Sequence, residues 1–273
     1  MRPTPKELYE RIDFHVHTHF SKCADRNMIP ADMIKRFEGK GYTHLGFSDH
    51  LNSSEDLENI AILKKDIALL TTPIQIFLGC EIDLIAPGKI TMGKEIRNHV
   101  DFVLLSATHY QSHVDFYAPK SLEPEDVADN VFRMFEAACS IPYADVIAHP
   151  FSCFGLSRYL PGDLANWEGR EIDISYLVPM IMEMDIEEAL DKALKSGIAM
   201  EISPKSMNPQ LLDGILDFYA LCKEMGLKFS IGDDTHSVDT IGTTGMVKYI
   251  IKKLDINEDD LWLPVKMTCS ACK

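Results

Sequence analysis

The sequence predicts an α/β barrel of parallel strands, and three observations predict it. Short apolar runs alternate with longer stretches of helical periodicity along most of the 273 residues, as in successive strand–helix units. Seven such apolar runs can be counted. Where those runs give out, residue types suited to metal binding stand in series: His15 and His17 in DFHVHTH, His50 in GFSDH, Glu81 in FLGCE, His109 in LLSATH, His149 in VIAHP, then Asp234 and His236 in FSIGDDTH. A parallel barrel with a polar site at the C-terminal ends of its strands produces such a series. Scattered core histidines have no reason to fall at the same end of every run.

The elements follow in order. Ile12–Val16 is the first strand, and Pro30 opens a helix to about Lys40, since proline is accepted in a first helical turn. His44–Ser48 is the second strand. Ser54–Leu70 is a helix with Ser54 as N-cap and Leu57, Ile60, Ala61, Leu63 and Ile67 at helical spacing. Ile74–Cys80 is a strand ended by Glu81, Phe102–Ala107 is the next, and a helix from about Pro124 to Ala138 leads to the strand Val146–Ala148. Residues from about 152 to 184 carry Gly, Pro and aromatic residues with little periodicity, which predicts a long loop or small insertion near the site. The alternation resumes with helix Ile186–Ser196, strand Ile198–Ile202, helix Pro209–Met225, strand Lys228–Ile231 and a helix around Gly245–Leu254. Gly232 is expected to allow a tight turn after the last strand. With no repeat and no linker, residues 1–273 are expected to form one barrel domain, a size at which a substantial core can be buried.

Composition sets bounds on function. The chain is 46% hydrophobic and 25% charged, ordinary for a soluble protein. Its 42 Asp and Glu against 27 Lys and Arg give a formal charge of −15, which opposes binding to long duplex nucleic acid or to anionic membranes. Divalent cations would offset part of that charge locally. No stretch approaches the roughly 20 apolar residues that span a bilayer, and MRPTPKELYE lacks a signal-peptide core. Seven scattered cysteines point to reduced thiols and a cytoplasmic location. Cys269 and Cys272 form a C-x-x-C without a second pair, which reads as a frayed terminus rather than a zinc site.

His15 and His17 are two apart on a strand, so both imidazoles face one side and can reach one ion. Asp13 shares that face and is expected to orient an imidazole. Glu81 brings a carboxylate, whose two oxygens can bridge two cations, to the end of an apolar run. His109 and His149 would add nitrogen ligands to a second ion, with Pro150 holding His149 extended. Asp234 and His236 are again two apart. His50 would join His236 at a third ion, with Asp49 as its hydrogen-bonding neighbour. Taken singly, Glu81, His109 and His149 could each be structural; their shared position makes the case. Mixed imidazole and carboxylate ligands suit zinc, iron or manganese better than calcium or magnesium.

With these residues in hand, the chain resembles the PHP (polymerase and histidinol phosphatase) family of metal-dependent phosphoesterases. The motifs match in order from DFHVHTH to GDDTHSVDTIG: H-x-H at His15 and His17, S-D-H ending at His50, Glu81, His109, A-H-P at His149, and D-x-H at Asp234 and His236. The resemblance implies a distorted (β/α)7 barrel of TIM type and two or three divalent metal ions. It implies a first ion on His15, His17, Glu81 and Asp234, a second on Glu81, His109 and His149, and a third on His50 and His236. Some members add a third-site ligand, often His, a few residues beyond the H-x-H; here that position falls near Cys23, with His19 and Asp25 close by.

The expected activity is hydrolysis of a phosphomonoester or a short nucleotide phosphodiester by metal-bound hydroxide, with Glu81 at the centre and His50 with Asp49 as the source of general-acid help. Lys205, in EISPKSMNP, and Arg158 are the leading candidates to bind phosphate oxygens, ahead of Lys22, although each taken singly reads first as an ordinary surface charge. Glu201 is read equally as a support of the site or a salt-bridge partner. Tyr110, His113, Phe151, Phe154 and Tyr159 could line a pocket, although loop packing is the favoured reading. Two other classes compete: an amidohydrolase-like metallo-barrel, which also begins with H-x-H, and a non-catalytic metal-binding regulatory domain. The extra His50 and the closing D-x-H favour the phosphoesterase.

Overall fold

The computed structural model describes residues 7–109, 116–152, 176–207, 212–242 and 245–266. Tyr110, His113, Phe154, Arg158, Tyr159, Cys269 and Cys272 lie outside the described residues.

Among the described residues there are eight strands: β1 (Ile12–Val16), β2 (His44–Phe47), β3 (Gln75–Ala86), β4 (Lys89–Ile90), β5 (Phe102–Ser106), β6 (Val146–Ala148), β7 (Ala199–Ile202) and β8 (Phe229–Ile231). Seven of them form a parallel sheet in the order β1-β2-β3-β5-β6-β7-β8, and β4 pairs antiparallel with the far end of β3. The α-helices among the described residues are α1 (Pro30–Gly39), α2 (Leu57–Ala68), α3 (Pro124–Ala138), α4 (Leu177–Met182), α5 (Ile186–Ser196), α6 (Leu212–Glu224) and α7 (Gly245–Lys253). Most boundaries fall where the sequence places them, because the local signals are strong. Pro30 and Pro124 occupy first turns, and Gly197, at φ 72°, ends α5 in the left-handed conformation that glycine adopts cheaply.

Three expectations change. Ser53, not Ser54, caps the second helical segment by accepting from the Glu55 amide (3.3 Å), and one 3-10 turn precedes α2. Strand β3 does not stop at Glu81 but continues to Ala86, because Glu81 and Asp83 alternate with Ile82 and Leu84 at the period of a strand. In the segment expected as a long loop or small insertion, the described part carries a helix that was not expected, α4, whose Leu177, Val178 and Ile181 are buried; its six residues are too few for helical periodicity to show.

The seven parallel strands come close to a closed barrel. At the end carrying the site, β1 meets the residues after β8: the His17 amide donates to the Thr235 carbonyl (3.1 Å) and the Thr235 amide to the His15 carbonyl (3.2 Å). At the other end a later piece of chain takes that place, with the Trp262 amide donating to the Phe229 carbonyl (2.7 Å). The Trp262 ring packs edge-on against Phe14 and Phe102, at 5.8 and 5.9 Å between centroids. Phe102 fills the space that two glycines leave: a Cβ on Gly46 or Gly79 would lie 2.6 or 2.2 Å from its ring. Helix α3 buries Val127, Ala128, Val131, Met134, Phe135 and Ala138 along one stripe. Phe151 packs between Phe135 and Phe218 at 4.9 and 4.8 Å, so it belongs to the core rather than to a pocket wall. Among the described residues no helix is long and apolar enough to cross a membrane.

Candidate metal centre

The end of the barrel closed by β1 and β8 gathers the residues that the sequence strings out. His15 and His17 come from β1 and the residue just beyond it, Glu81 from the middle of β3, and Asp234 from the turn after β8. All four are buried. His15 Nε2 lies 3.2 Å from His17 Nε2, 3.2 Å from Glu81 Oε2 and 3.5 Å from Asp234 Oδ1. His17 Nε2 lies 3.5 Å from Glu81 Oε2 and 3.0 Å from Asp234 Oδ1. Zinc ligands about 2.0–2.1 Å from a tetrahedral ion stand about 3.3–3.4 Å apart. These five distances are close to that spacing.

Glu81 faces two groups of imidazoles. Its Oε2 looks towards His15, His17 and His50 Nδ1 (3.2 Å), its Oε1 towards His149 Nε2 (3.1 Å) and His109 Nδ1 (3.7 Å). His50 Nδ1 is buried and makes no aligned hydrogen bond despite that short distance. On the outer side, His17, Cys23, His50 and His236 each offer a ligand atom within 4.8 Å of the others, and Cys23 Sγ is 3.1 Å from His236 Nε2. His50 thus stands between the two sides rather than only beside His236. Lys205 reaches the same place, with Nζ 2.8 Å from Asp234 Oδ2.

Behind the inward-facing nitrogens, the outer ones are held. His15 Nδ1 lies 2.8 Å from Glu201 Oε1, His17 Nδ1 3.1 Å from Ser21 Oγ and His149 Nδ1 2.9 Å from Ser152 Oγ; the His109 Nδ1 that faces Glu81 lies 2.9 Å from Asp83 Oδ1 as well. Such outer partners fix ring orientation and tautomer in metal sites. Glu201 does more, since its Oε2 accepts from the His149 amide (2.6 Å). That bond helps to hold His149 at φ 27°, a left-handed conformation rather than the extended one expected before Pro150. Asp234, at φ 50°, is held in the same unfavourable region, at a cost of about 1–3 kcal/mol for each residue.

Three supporting roles differ from expectation. Asp13 touches no imidazole; its Oδ1 accepts from the amides of His15 and Asp233, both at 3.1 Å, and ties β1 to β8. Asp49 does not pair with the His50 ring. Its two oxygens accept from the Thr18 amide (2.7 Å), the Thr18 hydroxyl (2.6 Å) and the Ser21 hydroxyl (2.6 Å), so it organises the loop that carries Cys23. Gly232 has no positive φ. It is needed for space, because a Cβ there would lie 2.2 Å from Glu201 Oε1 and 2.5 Å from His15 Cβ.

The sequence reading missed Asp83, Ser21 and Ser152. Asp83 was recoverable from its two-residue spacing to Glu81, which puts both on one face of a strand. The two serines carry no signal beyond nearness to a histidine.

Charge is balanced within the group. Burial pushes the Glu81 carboxyl up, but His50, His15 and His109 outweigh it and hold the group well below the usual carboxylate range. Asp234 is lowered against burial by His15, His17 and Lys205. His15 moves the other way: burial would lower it, and the carboxylates of Glu201, Asp234 and Glu81 raise it. His109 is raised likewise, to about 9, by Glu81 and Asp83 against the effect of burial. Without an ion, His15 and His109 supply positive charge beside the carboxylates, whereas burial lowers His17 and His236. The donor set therefore fits divalent cations in chemistry, in spacing and in charge.

Comparison with known proteins shows the family. Residues 13–174, more than half of the chain, match the PHP domain. The chain belongs to the PHP domain family. A comparison with curated protein sequences gives no match. Among solved structures, this PHP domain is similar to the histidinol phosphate phosphatase of Lactococcus lactis subsp. lactis, a structure complexed with zinc, L-histidinol and phosphate. The TM-score is 0.60 at 16% identity, over 88% of this chain and 94% of that one. The putative histidinol phosphatase of Listeria monocytogenes is similar to the same degree, with a TM-score of 0.60 at 15% identity, over 87% of this chain and 99% of that one. At such identities the likeness shows the fold, a distorted (β/α) barrel.

Proposed function

We propose that this PHP domain is a metal-dependent phosphoesterase. The observation that carries the reading is Glu81, a buried carboxylate with one oxygen directed to His15 and His17 and the other to His149 and His109. In this reading His15, His17, Glu81 and Asp234 hold one ion, and Glu81, His109 and His149 hold a second. A third lies at the outer edge among His50, His236 and Cys23. Zinc, iron and manganese suit this donor set. When bound, such ions lower the pKa of water and neutralise charge that develops on phosphoryl oxygens.

The chain's own residues supply order. Glu201 fixes both the His15 ring and the His149 backbone, and so ties the ligands of the first ion to those of the second. Lys205 keeps a positive charge beside Asp234, and is proposed to turn it towards phosphate oxygens of the substrate. A small phosphomonoester is the favoured substrate class, with a short nucleotide phosphodiester as the other. Histidinol phosphate heads the screen because the two similar solved structures carry histidinol phosphatase names.

Chelation should abolish hydrolysis, and adding back Mn²⁺, Fe²⁺ or Zn²⁺ should restore it. The measurement is phosphate release from a panel of phosphorylated metabolites and oligonucleotides. A metal-loaded protein inert towards the whole panel would rule the reading out, and tightly held ions without turnover would indicate a regulatory domain.

A further inference from the structure

The outer group of donors differs in chemistry from the inner one. Around Glu81 and Asp234 the chain supplies carboxylates with imidazoles. At the outer edge His17, Cys23, His50 and His236 offer ligand atoms within 4.8 Å of one another, and that group contains a sulfur and no carboxylate. Cys23 Sγ lies 3.1 Å from His236 Nε2. A tetrahedral zinc ion with sulfur at about 2.3 Å and nitrogen at about 2.0–2.1 Å holds the two about 3.6 Å apart, so this pair need open by only about 0.5 Å. The sulfur is also held in place from both sides along the loop between β1 and α1. Before it, the Ser21 amide donates to the Thr18 carbonyl (3.0 Å), and Asp49 accepts from both hydroxyls. After it, the Ala24 amide donates to the Ser21 carbonyl (3.1 Å) and the Asp25 amide to the carbonyl of His236 itself (2.9 Å). That last bond ties the loop to the residue whose ring the sulfur meets. Cys23 is exposed, so an ion from solvent can reach it.

We infer that Cys23 makes the outer site selective for thiophilic divalent cations, zinc above all, and against manganese. The inference rests on the metal centre proposed above. Thiolate sulfur is a soft donor that favours zinc, whereas manganese favours carboxylate, carbonyl and water oxygens. A cation bound there displaces the thiol proton to solvent, as at any cysteine ligand. The inner donors, two carboxylates among imidazoles, place no such restriction on the ion. The two parts of the centre therefore differ in the metal they accept, and manganese supplied after chelation fills the inner sites while leaving the outer one open.

The test is cobalt titration of the metal-stripped protein, read in the near ultraviolet, where charge transfer from thiolate to cobalt absorbs, and in the visible. The parent should gain a charge-transfer band. Cys23→Ser should lose it and keep the visible absorption of the inner ions. The other thiols are common to both proteins, so the difference between them belongs to Cys23. The second readout uses the parent alone: alkylation by iodoacetamide, followed at the peptide carrying Cys23 by mass spectrometry. Zinc should protect Cys23, and saturating manganese should not. A band unchanged in Cys23→Ser, or alkylation at the metal-free rate in the presence of zinc, would overturn the inference and leave the phosphoesterase reading intact. Equal protection by manganese would also overturn it, because the sulfur would then not select. A protein that shows the band and the protection by zinc, yet hydrolyses no phosphoester, would bear out the inference and overturn only the phosphoesterase reading.

Discussion

Two groups of buried acids sit a few residues apart in this barrel, and burial treats them in opposite ways. Glu81 and Asp234, in the candidate centre, are held well below the usual carboxylate range. Asp13 and Asp233, in the seam where β1 meets β8, are pushed up, Asp233 to about 7. All four are nearly inaccessible to water. Desolvation raises each of them, so it cannot explain the difference. Neighbours do. The centre surrounds its carboxylates with imidazoles and Lys205, whereas the seam sets one carboxylate beside another, with Glu201 adding further negative charge. Desolvation costs are met in the centre by charge that a metal ion can replace, and in the seam by keeping protons on.

The largest expected effect comes from removing the charge that joins the two halves of the centre. Glu81→Gln keeps the shape of the side chain and should still fold. It should lose the second ion and reduce kcat by about 10²- to 10³-fold, the range seen when one preorganised charged or polar group is lost from an active site. Metal content per chain and steady-state hydrolysis check this together. Full activity in this variant would show that the ligands are assigned wrongly.

A smaller effect should come from the point where centre and seam touch. Gly232 lies between Glu201 and the Cβ of His15, with 2.2 and 2.5 Å left for a methyl group. Gly232→Ala should cost about 1–3 kcal/mol through overpacking. By displacing Glu201 it should also weaken ion binding about 10- to 100-fold. Thermal unfolding of the metal-free protein separates the first effect from the second, which zinc titration reads. A variant that loses stability but binds zinc like the parent would show that Glu201 is not what holds His15 for the ion.

How far the sequence reaches follows the same division. The clustering of the candidate ligands was legible because they are chemically distinctive and fall at one end of each apolar run; His15, His17, Glu81, Asp234 and the later histidines could be picked out by type and place. Helices α1, α3 and α5 were legible through proline, glycine and 3.6-residue spacing. The seam was not. That Asp13 bonds backbone amides rather than a ring, and that Glu201 reaches two histidines, depends on how strands far apart in sequence are registered. No local pattern encodes it. The same holds for the space Gly46 and Gly79 leave for Phe102, which only the packed barrel reveals. Asp83 was a different case: its alternation with Glu81 was readable, but the strand was ended too early.

The last expected effect, and the most direct check on the contrast, is the response of the seam to pH. Asp13 Oδ2 and both Asp233 oxygens have no aligned hydrogen-bond partner among the described residues. The Gly242 amide and Lys40 offset the effects of burial and of Glu201 on Asp233 only in part, and Tyr42 beside the pair is itself raised by burial and by both acids. Asp233 in the folded chain therefore titrates near 7, against about 3.9 when unfolded. A group with a raised folded pKa binds its proton more tightly in the folded state. Its contribution to stability is full below about pH 4 and is lost as pH rises towards 7. Asp233→Asn has no proton to lose there, so the metal-free variant should gain stability relative to the parent across that window, by up to about 3 kcal/mol. The reading is the difference in Tm at pH 4.5 and at about 7.5, in the presence of chelator. A difference that stayed constant, or moved the other way, would mean that the seam carries its charge as the centre does, and the contrast between them would fail.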